Sequence, residues 1–126
     1  MGVEVQPTTN HVVRSYFDAW STGNIAPVHA LLATDLVFAG PIKQGQSAAA
    51  YIEVLSTFQR LITTGIDLRS ELYSDEQATL IYTAHTVAGD ILIAEHIRLV
   101  NAKIATITLI FDPAPILAFR AAQAEQ

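Results

Sequence analysis

The chain has no cysteine among its 126 residues, which excludes disulfides, thiol catalysis and cysteine-bound zinc. Charge is scarce too. Only 15% of residues are Asp, Glu, Lys or Arg, the net charge is −5, and no basic cluster occurs. A nucleic acid or an anionic membrane surface would find little to bind. No apolar run approaches the roughly 20 residues of a membrane-spanning helix. The opening MGVEVQPTTN has neither the basic segment nor the apolar core of a signal peptide, and Gln6 stands where a myristoylation signal has Ser or Thr. A glycine-rich phosphate loop, a Gly-x-Ser-x-Gly elbow and an HExxH run are also missing, so nucleotide-dependent and serine-hydrolase chemistry have no support. These absences predict a soluble, cytoplasmic domain with no nucleic-acid and no membrane partner.

What is present is apolar and patterned. Half of the residues, 51%, are hydrophobic, and the length suits one domain with a real core. We read a single domain over 1–126, with its core at about 8–112 and a tail at 113–126. Residues 8–22 predict a helix capped by Thr8 or Thr9, with Val13, Tyr16, Phe17 and Trp20 on one stripe and Gly23 as its stop. Asn24 caps a shorter helix that turns Ile25, Val28, Leu31 and Leu32 inward. DLVFAG (35–40) predicts a strand and GPIKQG a loop. Residues 47–63 predict a third helix, with Ser47 as cap, a stripe of Tyr51, Leu55, Phe58 and Ile62, and Gly65 as terminator.

The second half changes period. IDLRSELY alternates, and QATLIYTAHTVA, DILIAEHIRLV and KIATITLIFD read as three long strands joined by short turns at AGD and NA. The tail ILAFRAAQAEQ suggests a short helix. Three N-terminal helices followed by an antiparallel meander predict an α+β fold, with the helices packed on one face of a curved, mostly antiparallel sheet that makes a cone around an interior pocket.

Glu95 is the anomaly. It shares a strand face with Ile91, Ile93, Ile97 and Leu99. A buried, unpaired carboxylate costs several kcal/mol, so it must be wet, paired or put to use. Arg69 is a conceivable partner, whereas Arg98 falls on the opposite face. Inside an apolar pocket, desolvation would raise its pKa and fit it to donate a hydrogen bond to a developing oxyanion; partly ionised, it would instead serve as a general base.

The series YFDAWSTGNI (16–25), LVFAGPIKQG (36–45), AEHIRLVNAKI (94–104) and LIFD (109–112) resembles the nuclear-transport-factor-2-like superfamily, in its SnoaL-like and ketosteroid-isomerase-like branch. The resemblance covers almost the whole chain. It implies a conical α+β barrel with a deep, mostly apolar pocket and a homodimer formed through the sheet. Ketosteroid isomerase uses a tyrosine and a protonated acid as an oxyanion hole and an Asp as base. By that resemblance Tyr16 takes the tyrosine position and Glu95 the acid position. Gly40 stands where the base belongs. The Asp–Arg–Asp set of limonene-epoxide-hydrolase-like enzymes is not matched, because its last-strand Asp would fall near Leu109. SnoaL-like cyclases rest on a pocket carboxylate, for which Glu95 is the candidate.

The expected site therefore has Tyr16 and Glu95 as catalytic residues. Trp20, Phe38, Tyr51, Phe58, Tyr82, Ile107 and Phe111 would form the pocket wall, and small residues at Ala39, Gly40 and Ala84 would leave room. Neither a cofactor nor a metal is expected; His85 and His96 lie on neighbouring strands without a clear third ligand. Two functions follow. One is a SnoaL-like domain that binds a small apolar molecule as a cofactor-free isomerase, cyclase or dehydratase acting near a carbonyl. The other is a non-catalytic ligand-binding or dimerisation module.

Overall fold

The computed structural model describes residues 8–125. Most of the opening stretch read for a leader or a lipidation signal lies outside them. Helix α1 (Thr9–Ser21) starts where Thr8 accepts a hydrogen bond from the His11 amide, and it buries Val12, Val13, Tyr16, Phe17 and Trp20. Gly23 follows with φ +89°, the left-handed conformation that lets the chain leave the helix. A 3₁₀ helix (Ala26–Leu31) leads directly into β1 (Leu32–Ala39). Leu32, expected on the helix, thus belongs to the strand.

The GPIKQG loop contains a short strand, β2 (Gln44–Gln46), paired antiparallel with Val37–Ala39. Gly45 has no room for a side chain, because a Cβ there would lie 2.8 Å from the Phe38 ring. Helix α2 (Ala48–Gln59) is capped by Ser47, whose Oγ accepts from the Ala50 amide at 3.0 Å.

Helix α2 ends four residues before the predicted limit, and the chain enters β3 (Ile62–Ser74). The stripe Tyr51–Leu55–Phe58–Ile62 keeps helical spacing, but Ile62, Thr63 and Thr64 are β-branched and find a strand partner. Ile62 pairs with Thr86, and Gly65, at φ +108°, sits at a register shift in this strand and does not terminate a helix. Strands β4 (Gln77–Thr86), β5 (Gly89–Val100) and β6 (Lys103–Ile110) complete the meander, and α3 (Ala114–Ala124) occupies the tail. The β5–β6 turn places Asn101 and Ala102 at φ +51° and +63°, which matches the twist of a two-residue hairpin.

The sheet order is β2-β1-β6-β5-β4-β3. All pairs are antiparallel except β1–β6, which is parallel. The curved sheet is open, with β2 and β3 as edges, and does not close into a barrel. Its concave face packs on α1 and α2 and carries the core. Strand β5 alternates as expected, burying Ile91, Ile93, Glu95, Ile97 and Leu99.

Candidate functional site

Glu95 lies at the centre of the concave face and is 0% exposed. Its strand neighbours across the ladder are Leu80 and Leu109, so it gains nothing from them. Tyr82, on β4, pairs with Ile93 and therefore lies diagonal to Glu95 on the same face. From there its hydroxyl donates to Glu95 Oε1 at 2.7 Å. Tyr16 comes from the buried stripe of α1 and donates to Glu95 Oε2 at 2.5 Å. Tyr51, from the first turn of α2, lies with its hydroxyl 2.5 Å from that of Tyr16. Three elements thus converge on one carboxyl group, and no cation is among its partners. Arg69 instead donates to Thr83 Oγ1 at 2.5 Å.

The electrostatics follow from this dryness. Burial pushes the Glu95 carboxyl above its ordinary value, while the three tyrosine hydroxyls pull it back down. Burial first, and then the neighbouring carboxyl, holds all three phenols well above theirs.

A proton count shows what the cluster can do. Three hydrogen bonds join Tyr51, Tyr16, Glu95 and Tyr82. With Glu95 ionised, the three phenol protons fill those three bonds and none is left over. With Glu95 neutral there are four protons for three bonds. If the added proton sits on Oε1, Glu95 donates to Tyr82 and frees the Tyr82 proton. If it sits on Oε2, Glu95 donates to Tyr16, Tyr16 donates to Tyr51, and the Tyr51 proton is freed.

Tyr51 and Tyr82 both line a cavity of about 280 Å³ beside the cluster. On either route the freed proton belongs to a residue that lines this cavity. Trp20, Phe38, Phe58 and Phe111 share the wall. Ile107, expected in it, is fully buried in the core and is not a lining residue. Tyr16 and Glu95 are brought together, but neither is among the lining residues; they stand behind Tyr51 and Tyr82. Gly40 lines the cavity, with no carboxylate at that position.

Sequence reasoning took Tyr51 and Tyr82 as wall residues and missed their link to Glu95. The signal for Tyr82 was available: strand alternation and a short turn place it diagonal to Glu95. Tyr51 had none, because helix-to-sheet placement is not a local property. Lys43, Glu53 and Arg120 were also missed as lining residues. Arg120 arrives from α3, in the tail. Among the described residues no group of three or more His, Asp or Glu side chains is arranged to hold a metal ion. His85 is on the outer face between Asp67 and Asp90, and His96 bonds Thr79.

No family model and no curated protein matches the sequence. Solved structures do. A protein from Kribbella flavida superposes with a TM-score of 0.83 at 24% identity, over 91% of this chain and 95% of that one. An NTF2-like protein of unknown function from Cytophaga hutchinsonii gives 0.77 at 19%, over 91% and 99%. The chain has the NTF2-like, cystatin-like α+β fold. A steroid delta-isomerase from Pseudomonas aeruginosa also shares it, with a TM-score of 0.75 at 14% identity over 99% of this chain and all (100%) of that one. That fold is thus seen both in an isomerase and in proteins of unknown function. Among the described residues no helix is long and apolar enough to cross a membrane.

Proposed function

We propose that this NTF2-like domain binds a small, largely apolar molecule in the cavity, and that Tyr51 and Tyr82 meet an oxygen of that molecule. The observation that supports this reading is the buried Glu95 with its three phenols, two of them on an apolar cavity wall. A neutral Glu95 offers a carbonyl one proton donor through either phenol. An ionised Glu95 offers none unless an internal bond is given up. Ketone binding is therefore linked to retention of the Glu95 proton.

The same geometry suits cofactor-free isomerisation, cyclisation or dehydration next to a carbonyl. A donor relayed through Tyr51 or Tyr82 would stabilise a developing enolate. Such chemistry also needs a base. Gly40 supplies none, and the carboxylate among the lining residues is Glu53, on an exposed turn of α2. Ligand binding is therefore the primary reading, and catalysis the second.

Thermal shift with a panel of aromatic and terpenoid ketones, run beside turnover assays, tests both. Ketones should raise the Tm of the wild type, more at acidic than at alkaline pH, and Tyr82→Phe should reduce the effect several-fold. A panel without any shift would sink the binding reading. Proton exchange or isomerisation of a bound ketone would promote the catalytic one.

We also propose a homodimer through the outer face of the sheet. Ile81, Ala94 and Ile110 form a directly paired row across three strands, and Leu92 and Ile110 are 61% and 65% exposed. Sedimentation velocity should give twice the chain mass, and Leu92→Asp should return it to one. A monomeric wild type at high micromolar concentration would refute the proposal.

A further inference from the structure

Trp20 breaks the rule that buried polar groups are paired. Its ring is 1% exposed, yet Nε1 has no hydrogen-bond partner. An orphaned buried donor of this kind keeps its full desolvation penalty. The neighbourhood is otherwise well satisfied: the three phenols and Glu95 are bonded to one another, and the Gln59 amide donates to the Trp20 carbonyl oxygen at 2.9 Å. The ring is held edge-on to Phe17 at 5.6 Å and to Tyr82 at 5.7 Å, so it is not free to swing toward an acceptor elsewhere. Trp20 lines the cavity.

We propose that the Trp20 indole N–H is a ligand-recognition donor. It would bind an acceptor oxygen of the cavity's occupant, distinct from the oxygen met by Tyr51 and Tyr82. This rests on the cavity being a ligand site. It narrows the ligand class to flat, apolar molecules with two oxygens, of which one is a carbonyl or ether acceptor. The two polar points differ in kind. The phenols exchange donor and acceptor roles with the proton on Glu95, whereas an indole N–H only donates, at any pH.

Trp20 is the one tryptophan in the chain, so a single indole resonance reports on it in a ¹⁵N–¹H spectrum. The probes are 2,6-diacetylnaphthalene and 2-acetyl-6-ethylnaphthalene. Both keep a carbonyl for the phenols, and only the first has a second acceptor. The diacetyl compound should bind about tenfold more tightly and move the indole proton downfield, and Trp20→Phe should abolish that advantage. Should Trp20→Phe fail to fold, the wild-type resonance and the two affinities decide alone. Equal affinities with an unmoved indole resonance would overturn the inference and leave the cavity reading intact; this is the pattern of an N–H resting on a neighbouring ring face. Failure of both probes to bind would remove both.

Discussion

Strands β4 and β5 carry a carboxylate problem on each face and solve it in opposite ways. On the outer face, His85 lies between Asp90 at 2.7 Å and Asp67 at 2.8 Å. On the inner face, Glu95 has no counter-charge and is held by neutral phenols. In water, a pair of opposite charges is cheap to form and worth little. In a dry core, a hydroxyl can satisfy a carboxyl oxygen without a second desolvated charge. The inner arrangement also leaves the proton on Glu95 adjustable, which an ion pair with arginine would not.

Removing the inner carboxyl should have the largest effect. Glu95→Ala leaves Tyr82 without its partner, strips one from Tyr16 and opens a cavity, so stability should fall by about 3 kcal/mol in chemical denaturation. Glu95→Gln keeps the shape, with an oxygen for one phenol and an amide facing the other, and should cost about 1 kcal/mol. The pH dependence sharpens the contrast. The folded state raises the Glu95 pKa above its ordinary 4.5, so it holds that proton more tightly than the unfolded chain does. This group's contribution is therefore most favourable below 4.5, declines as pH rises through the raised folded value, and is flat above it. The difference in stability between wild type and Glu95→Gln, followed from pH 4 upward, should trace that decline. A flat difference would mean that Glu95 is no harder to ionise in the fold than in the open chain.

The outer face should respond least. His85 is raised above its ordinary 6.5 by the Asp67 hydrogen bond first and Asp90 second. Its contribution is complete below 6.5 and is lost as pH rises through the folded value. His85→Asn should lower Tm slightly at pH 5.5 and not at pH 9. A drop at pH 5.5 as large as that of Glu95→Ala would erase the distinction between the faces.

Much of this was legible in the chain. The apolar stripe of α1, its threonine cap and the alternation of β5 are short-range patterns written residue by residue, and they put Glu95 on the apolar face of its strand. Ile62 and Gly65 were misread because a helical spacing and a β-branched run overlap there, and only pairing with β4 chooses between them. The parallel β1–β6 pair, the entry of Arg120 into the cavity wall and the loss of Ile107 from it depend on how distant segments pack. The sequence by itself determined that Tyr16 and Glu95 would lie on the apolar faces of their elements, because hydrophobic periodicity dictates which face of each element turns inward. Only the tertiary structure decided that Tyr51 and Tyr82, not Tyr16 and Glu95, front the cavity, because that order is set by helix-to-sheet packing among residues far apart in the chain.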